Sequence, residues 1–243
     1  MHWTDEGIVL SARPHGETAA VVHLLTRTHG RHAGLVRGGQ GRRLRGIYQP
    51  GNLVAATWSG RLPEHLGTYT CELVQGYAAR VLDDPDRLAA LSAAAAVSEA
   101  ALPEREPHGA CFDGFVALLD ALSDAHWAEV TVRWELALLA ELGFGLDLAA
   151  CAAGGDNDQL AYVSPRSGRA VSLAAGEPYR DRLLTLPGFL VGRAGGGPVE
   201  VGQGLALTGF FLERHVFGPQ HQPLPAARRR LAERFPNPAS MNE

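Results

Sequence analysis

Apolar and polar positions alternate with a period near two over the first third of the chain and near 3.6 beyond it. Ile8-Val9-Leu10 runs into Arg13-Pro14-His15-Gly16, a turn, and the apolar stretch 19–25 runs into Thr28-His29-Gly30, another. A short run at 33–36, then 52–58 and 67–74, complete five predicted strands separated by Gly-, Pro- and His-bearing turns. An open sheet of five short strands would leave two unpaired edges. Closure into a small barrel is therefore expected, of the OB type ahead of an SH3-like one, with a long loop between the third and fourth strands.

After Tyr77 the helical period takes over. Asp83-Asp84-Pro85-Asp86 is a helix-start signal, with acids for capping and a proline for the first turn, and it opens a helix through Leu88, Leu91, Ala95 and Leu102. Phe112, Phe115, Val116, Leu119 and Leu122 share one face of a second helix over about 108–123. Trp127, Val130, Trp134, Leu138 and Leu142 line a third, with Gly143 as its stop. Two further helices are predicted near 204–217 and 225–235, and residues 145–200 are a Gly- and Pro-rich, partly extended interruption. The fold class expected is α+β: a barrel domain over 1–80, then a helical domain over 81–243.

Charge sharpens that division. All 22 cations of the 243-residue chain are arginines, which excludes a lysine-bearing phosphate loop and Schiff-base chemistry. Residues 1–80 hold nine arginines and five acids, a net +4, whereas 81–243 hold thirteen arginines and 21 acids, a net −8. A basic first third joined to an acidic remainder suggests two modules with different partners. Nothing approaches a membrane-spanning run, and the first residues lack a basic and apolar leader, so a cytoplasmic location is expected.

The segment Arg37-Gly38-Gly39-Gln40-Gly41-Arg42-Arg43-Leu44-Arg45-Gly46 carries four arginines, four glycines and no acid. Glycines let a backbone approach a phosphate chain, and guanidinium groups bind phosphate bidentately, so this stretch is read as a flexible basic arm for nucleic acid. Such contacts position a strand without reading its sequence. Tyr48, just after the arm, is the stacking candidate, whereas Trp58 falls within a strand and is read as core.

Catalytic constellations are poor. The ten histidines form no HExxH, and GxSxG and a correctly placed GxGxxG are also missing. Glu213-Arg214-His215 and Asp156-Asn157-Asp158 are read as a helix face and a polar turn. Cys71, Cys111 and Cys151 have no CxxC spacing and are read as small buried hydrophobes in a reducing compartment.

Several stretches, in order, resemble the RecO family of bacterial recombination mediators. They are Asp5-Glu6-Gly7-Ile8-Val9-Leu10 with Gly16-Glu17, Leu35-Val36-Arg37-Gly38-Gly39 into Arg42-Arg43, Leu44-Arg45-Gly46 to Gln49-Pro50-Gly51-Asn52, and Trp58-Ser59-Gly60-Arg61-Leu62. In the second half they are Glu135-Leu136-Ala137-Leu138-Leu139 to Gly143-Phe144, Leu160-Ala161-Tyr162-Val163-Ser164-Pro165, and Leu212-Glu213-Arg214-His215-Val216-Phe217. The resemblance implies an OB barrel followed by a helical domain, binding of single- and double-stranded DNA, and annealing of complementary strands. It also implies cooperation with RecR, with RecF in some pathways, in loading RecA onto strands coated by single-strand-binding protein, whose acidic tail docks on the helical domain of some members. Arg37, Arg42, Arg43 and Arg45 fall on the family's DNA-facing segment; Arg13 and Arg61 are weaker carry-overs. Some members hold zinc with four cysteines in the interruption. Here only Cys151 stands in the corresponding stretch at about 145–175, so a degenerate, metal-free segment and no cofactor are expected. The competing expectations are an RNA-binding barrel, a non-catalytic adaptor, and a hydrolase using His and Asp residues around 147–158.

Overall fold

Five strands form where the period-two pattern places them: β1 (His2–His15), β2 (Ala19–Thr26), β3 (Gly30–Val36), β4 (Leu53–Ser59) and β5 (Thr68–Gln75), with a short helix α1 (Arg42–Ile47) between β3 and β4. The structure is a computed structural model that describes residues 1–154, 157–193 and 195–236. The strands close into a barrel in the order β1-β2-β3-β5-β4, and β4 returns to pair with β1. All pairings are antiparallel except β3 with β5, which meet in parallel at a single residue pair, Leu35 and Thr68.

Alternate residues supply the barrel interior. Ala20, Val22 and Leu24 of β2, Val54, Ala56 and Trp58 of β4, and Tyr69 and Cys71 of β5 pack around Val9 and Val36. Gly34 faces the same interior, where a β-carbon would stand 2.3 Å from the Tyr69 ring, so the missing side chain makes room for that ring.

A four-residue helix α2 (Tyr77–Arg80) leads to α3 (Pro85–Ala101) and α4 (Gly109–Ala121). Asp84 caps α3 as its sequence announces, accepting from the amides of Asp86 and Arg87 at 3.1 Å each. The alanine-rich face of α3 packs on β1 and β2, so Ile8, Leu10 and Leu25, on the barrel's outer face, are buried as completely as the interior. The change of period near residue 80 is therefore not where packing divides. One compact unit is Met1–Asp124 with Pro225–Arg228; the other is Ala125–Leu224 with Arg229–Glu243.

In the second unit, α5 (Trp127–Glu141) packs against α7 (Pro198–Phe211), and Thr208 donates to the buried Glu135 carboxylate at 2.5 Å. The interruption holds a three-stranded sheet of β6 (Leu160–Val163), β7 (Ala170–Ser172) and β8 (Leu184–Thr185), with a one-turn helix α6 (Leu173–Gly176) after β7. A π-helical segment, Leu212–Phe217, extends α7, and α8 (Ala226–Ala232) follows. No helix among the described residues is long and apolar enough to cross a membrane.

Candidate nucleic-acid interface

The basic segment is not the flexible arm that its glycines suggest. Gly38, at φ +67°, and a bond from the Gly41 amide to the Gly38 carbonyl (2.9 Å) make a tight turn after β3. Gln40 fastens that turn to the β1–β2 hairpin. Its backbone amide donates to Thr18 O (3.0 Å) and its side-chain amide to Gly16 O and Ala19 O (3.0 and 2.9 Å).

Helix α1 follows at once, its first bond running from the Arg45 amide to Gly41 O. Leu44 and Ile47 pack against the barrel core, and Arg42, Arg43 and Arg45 take the opposite, exposed face. The buried Asn52 amide closes the far end, donating to Gly46 O and Ile47 O (3.0 and 3.1 Å), while its oxygen accepts from the Ala78 amide.

Arg37, Arg42, Arg43 and Arg45 are all exposed, and among the described residues none of them forms an ion pair or a side-chain hydrogen bond. Several other arginines of the first unit are engaged. Arg27 pairs with Asp113 and Glu6 and lies over the Phe112 ring, and Arg31 bonds Leu102 O (2.7 Å) and Glu104 (3.3 Å). The two weaker candidates separate from the cluster for different reasons. Arg13 is tied to Glu99 of α3 at 2.8 Å, beside His23 and Ser11 on the same carboxylate. Arg61 is exposed and unpaired among the described residues, but it lies in the β4–β5 loop, at the other end of β4 from α1, a span of roughly 23 Å.

Tyr48 is a correction. The residue is 4% exposed and part of the barrel core together with Cys71; burial pushes its phenol well above the ordinary value. A ring so enclosed has no face for a base. Helix α1 leaves one cleft on each side: about 330 Å³ lined by Arg37, Thr68 and Thr70 among others, and about 280 Å³ lined by Pro14, Arg45, Gln49 and Pro50 among others.

The remaining aromatics of the barrel gather at the opposite end. Trp3 stacks on His29 (4.0 Å between centroids, 8° between planes) and on Trp58, while His32 meets Trp3 and Trp58 edge-on and bonds the Tyr69 hydroxyl at 3.1 Å. Burial, with the Arg105 charge nearby, pushes His32 down to about 4 from the ordinary 6.5. The folded state thus holds its neutral form. The stability that follows is complete above about 6.5 and is lost as pH falls toward 4, because only the unfolded chain takes up the proton there. Urea midpoints measured across that window should fall for the wild type and fall less for His32→Gln. Parallel pH curves for the two would contradict this reading.

A cavity of about 490 Å³ lies in the second unit, and its charged groups are engaged. Arg193 donates to Leu160 O, and Glu200 accepts from the amides of Gly188 and Gly196. In the degenerate segment the Cys151 sulfur accepts from the Ser172 amide at 3.2 Å, and Asn157 holds the Cys151 amide at 2.8 Å. No group of three His, Cys, Asp or Glu suited to a metal ion occurs among the described residues, so the residues present do not fit the zinc site of some members. Of the 147–158 set, Asp147 pairs with Arg169 at 3.3 Å; Asp156 and the side chain of Asp158 lie outside the described residues.

Comparison with known proteins covers most of the chain. Residues 1–77 match the family model described as Recombination protein O N terminal, and residues 82–223 match Recombination protein O C terminal. The chain is 65% identical over 237 residues to "DNA repair protein RecO" of Rhodospirillum centenum, covering 97% of this chain and 95% of the relative. It is 54% identical over 243 residues to the protein of the same name from Rhodospirillum rubrum (97% and 96%) and 52% identical over 235 residues to that of Methylobacterium nodulans (94% and 95%).

Proposed function

From the premise that the chain belongs to the RecO family of DNA repair proteins, we propose that it binds single- and double-stranded DNA through the arginine face of α1 and anneals complementary strands. The barrel acts as an OB-type module whose β3–β4 connection, rather than a sheet face, meets the DNA. The observation that carries this reading is that, among the described residues, Arg37, Arg42, Arg43 and Arg45 are unpaired whereas Arg13, Arg27 and Arg31 are engaged.

Two complementary strands repel each other. Guanidinium groups that neutralise phosphates on both lower that repulsion, and base pairing then drives the reaction. No covalent bond changes and no nucleotide is consumed, so the protein is a mediator and not an enzyme. In the cell it acts in the cytoplasm, at the nucleoid. The acidic helical part recruits the tail of single-strand-binding protein, while RecR, and RecF where the pathway uses it, join in handing the strand to RecA.

The test is annealing of complementary oligonucleotides coated with single-strand-binding protein, with and without RecR. The protein should accelerate duplex formation, which is sequence-independent and falls with salt. No acceleration at low salt would overturn the reading, and preferential competition by single-stranded RNA would move it to an RNA-binding module.

A further inference from the structure

Deepening the reading just given, and resting on it, we propose that the cleft between β3 and β5 is a subsite for one phosphodiester of a bound strand, with Arg37, Thr68 and Thr70 as its donors. The cleft exists because the barrel is barely closed there. Leu35 and Thr68 are the only residue pair between the two strands, joined by a bond from the Leu35 amide to Gly67 O (3.1 Å), whereas β5 remains paired with β4 as far as Gln75. Beyond Thr68, β5 has a partner strand on one side only. Tyr48, buried with Cys71 in the barrel core, lines the gap, and a space of about 330 Å³ remains.

The lining suits an anion. Tyr69 and Cys71 point into the barrel, so by the two-residue period Thr68 and Thr70 stand on its outer side, at the rim of the cleft. The Thr68 hydroxyl makes one long bond, 3.4 Å to Ser59 O, and Thr70 makes no side-chain hydrogen bond among the described residues. Arg37, opposite them, is equally uncommitted. The floor is neutral: burial pushes the Cys71 thiol up to about 11 and both phenols higher still. No carboxylate lines the cleft, and the nearest along β5 is the outward-facing Glu72, one pleat beyond Thr70. Two hydroxyl donors and a guanidinium around an acid-free recess can satisfy the oxygens of a single phosphate. Because this recess abuts Leu44 of α1, a strand neutralised by the arginine helix would have its next phosphate here.

The test is equilibrium binding of a labelled oligothymidylate to the full chain. The double change Thr68→Val and Thr70→Val should weaken binding about tenfold with an unchanged unfolding midpoint. Arg37→Gln should lower the slope of log affinity against log salt by about 0.7, and Glu72→Gln should tighten binding about twofold. Inorganic phosphate at matched ionic strength should displace the strand weakly from the wild type and less from Arg37→Gln; equal displacement from both would overturn the proposal. Wild-type affinity in the double threonine variant would also overturn it while leaving the α1 reading intact. That reading fails separately if replacing Arg42, Arg43 and Arg45 has no effect.

Discussion

Replacing Arg42, Arg43 and Arg45 together by alanine is expected to cut affinity for single-stranded DNA about a hundredfold at 0.1 M salt. Each phosphate neutralised on a single strand contributes about 0.7 to the slope of log affinity against log salt, so three lost contacts reduce it by about 2. If wild-type and variant affinities converge near 1 M, that slope difference is about two decades at 0.1 M. The change should leave the fold alone. The three side chains are exposed and without ion pairs among the described residues, and surface substitutions of this kind stay within about 0.5 kcal/mol. A salt titration with matched unfolding curves checks both halves. An unchanged slope would remove α1 from the interface, whatever happened to the affinity.

Trp58→Ala is expected to be the most damaging single change in the barrel, at about 3–5 kcal/mol of stability. The ring is 1% exposed, donates to Leu66 O at 2.9 Å and stacks with Trp3. Gly60 and Gly67 lie so close that a β-carbon on either would come within 2.4 Å of it. Removing it leaves a void and an unpaired carbonyl in the same place. Urea denaturation measures the loss, and a value under about 1 kcal/mol would show that the site collapses freely. DNA binding provides the complementary control. Because Trp58 is core and not a stacking platform, Trp58→Phe should bind oligothymidylate within twofold of the wild type.

These two residue sets also mark what the sequence makes legible. Trp58 is readable because a residue in an alternating run has only two faces available, and a large ring takes the inner one. The Asp84 cap and the Gly143 stop are readable for a similar reason, since both act within one helical turn of their own position. Helix α1 was hidden. Four glycines among four arginines outweigh the apolar spacing of Leu44, Ile47 and Tyr48, although that i, i+3, i+4 pattern is the signal that predicts both the helix and the burial of Tyr48. Which arginines are available is not readable at all. Glu99, Asp113 and Glu104, which engage Arg13, Arg27 and Arg31, lie 86, 86 and 73 residues away along the chain. Only the packing of α3, α4 and their connection on the barrel brings those acids into reach. The charge of the segment was thus visible from composition, whereas its freedom depended on long-range structure.

The charged groups on the exposed face of α1 are all guanidinium groups. A guanidinium lacks the primary amine that acetylating enzymes modify. If α1 holds DNA as proposed, that grip cannot be loosened by acetylation, as one built of lysine can. On that proposal, release is expected from ionic strength, from a rival polyanion, or from the two strands becoming a duplex.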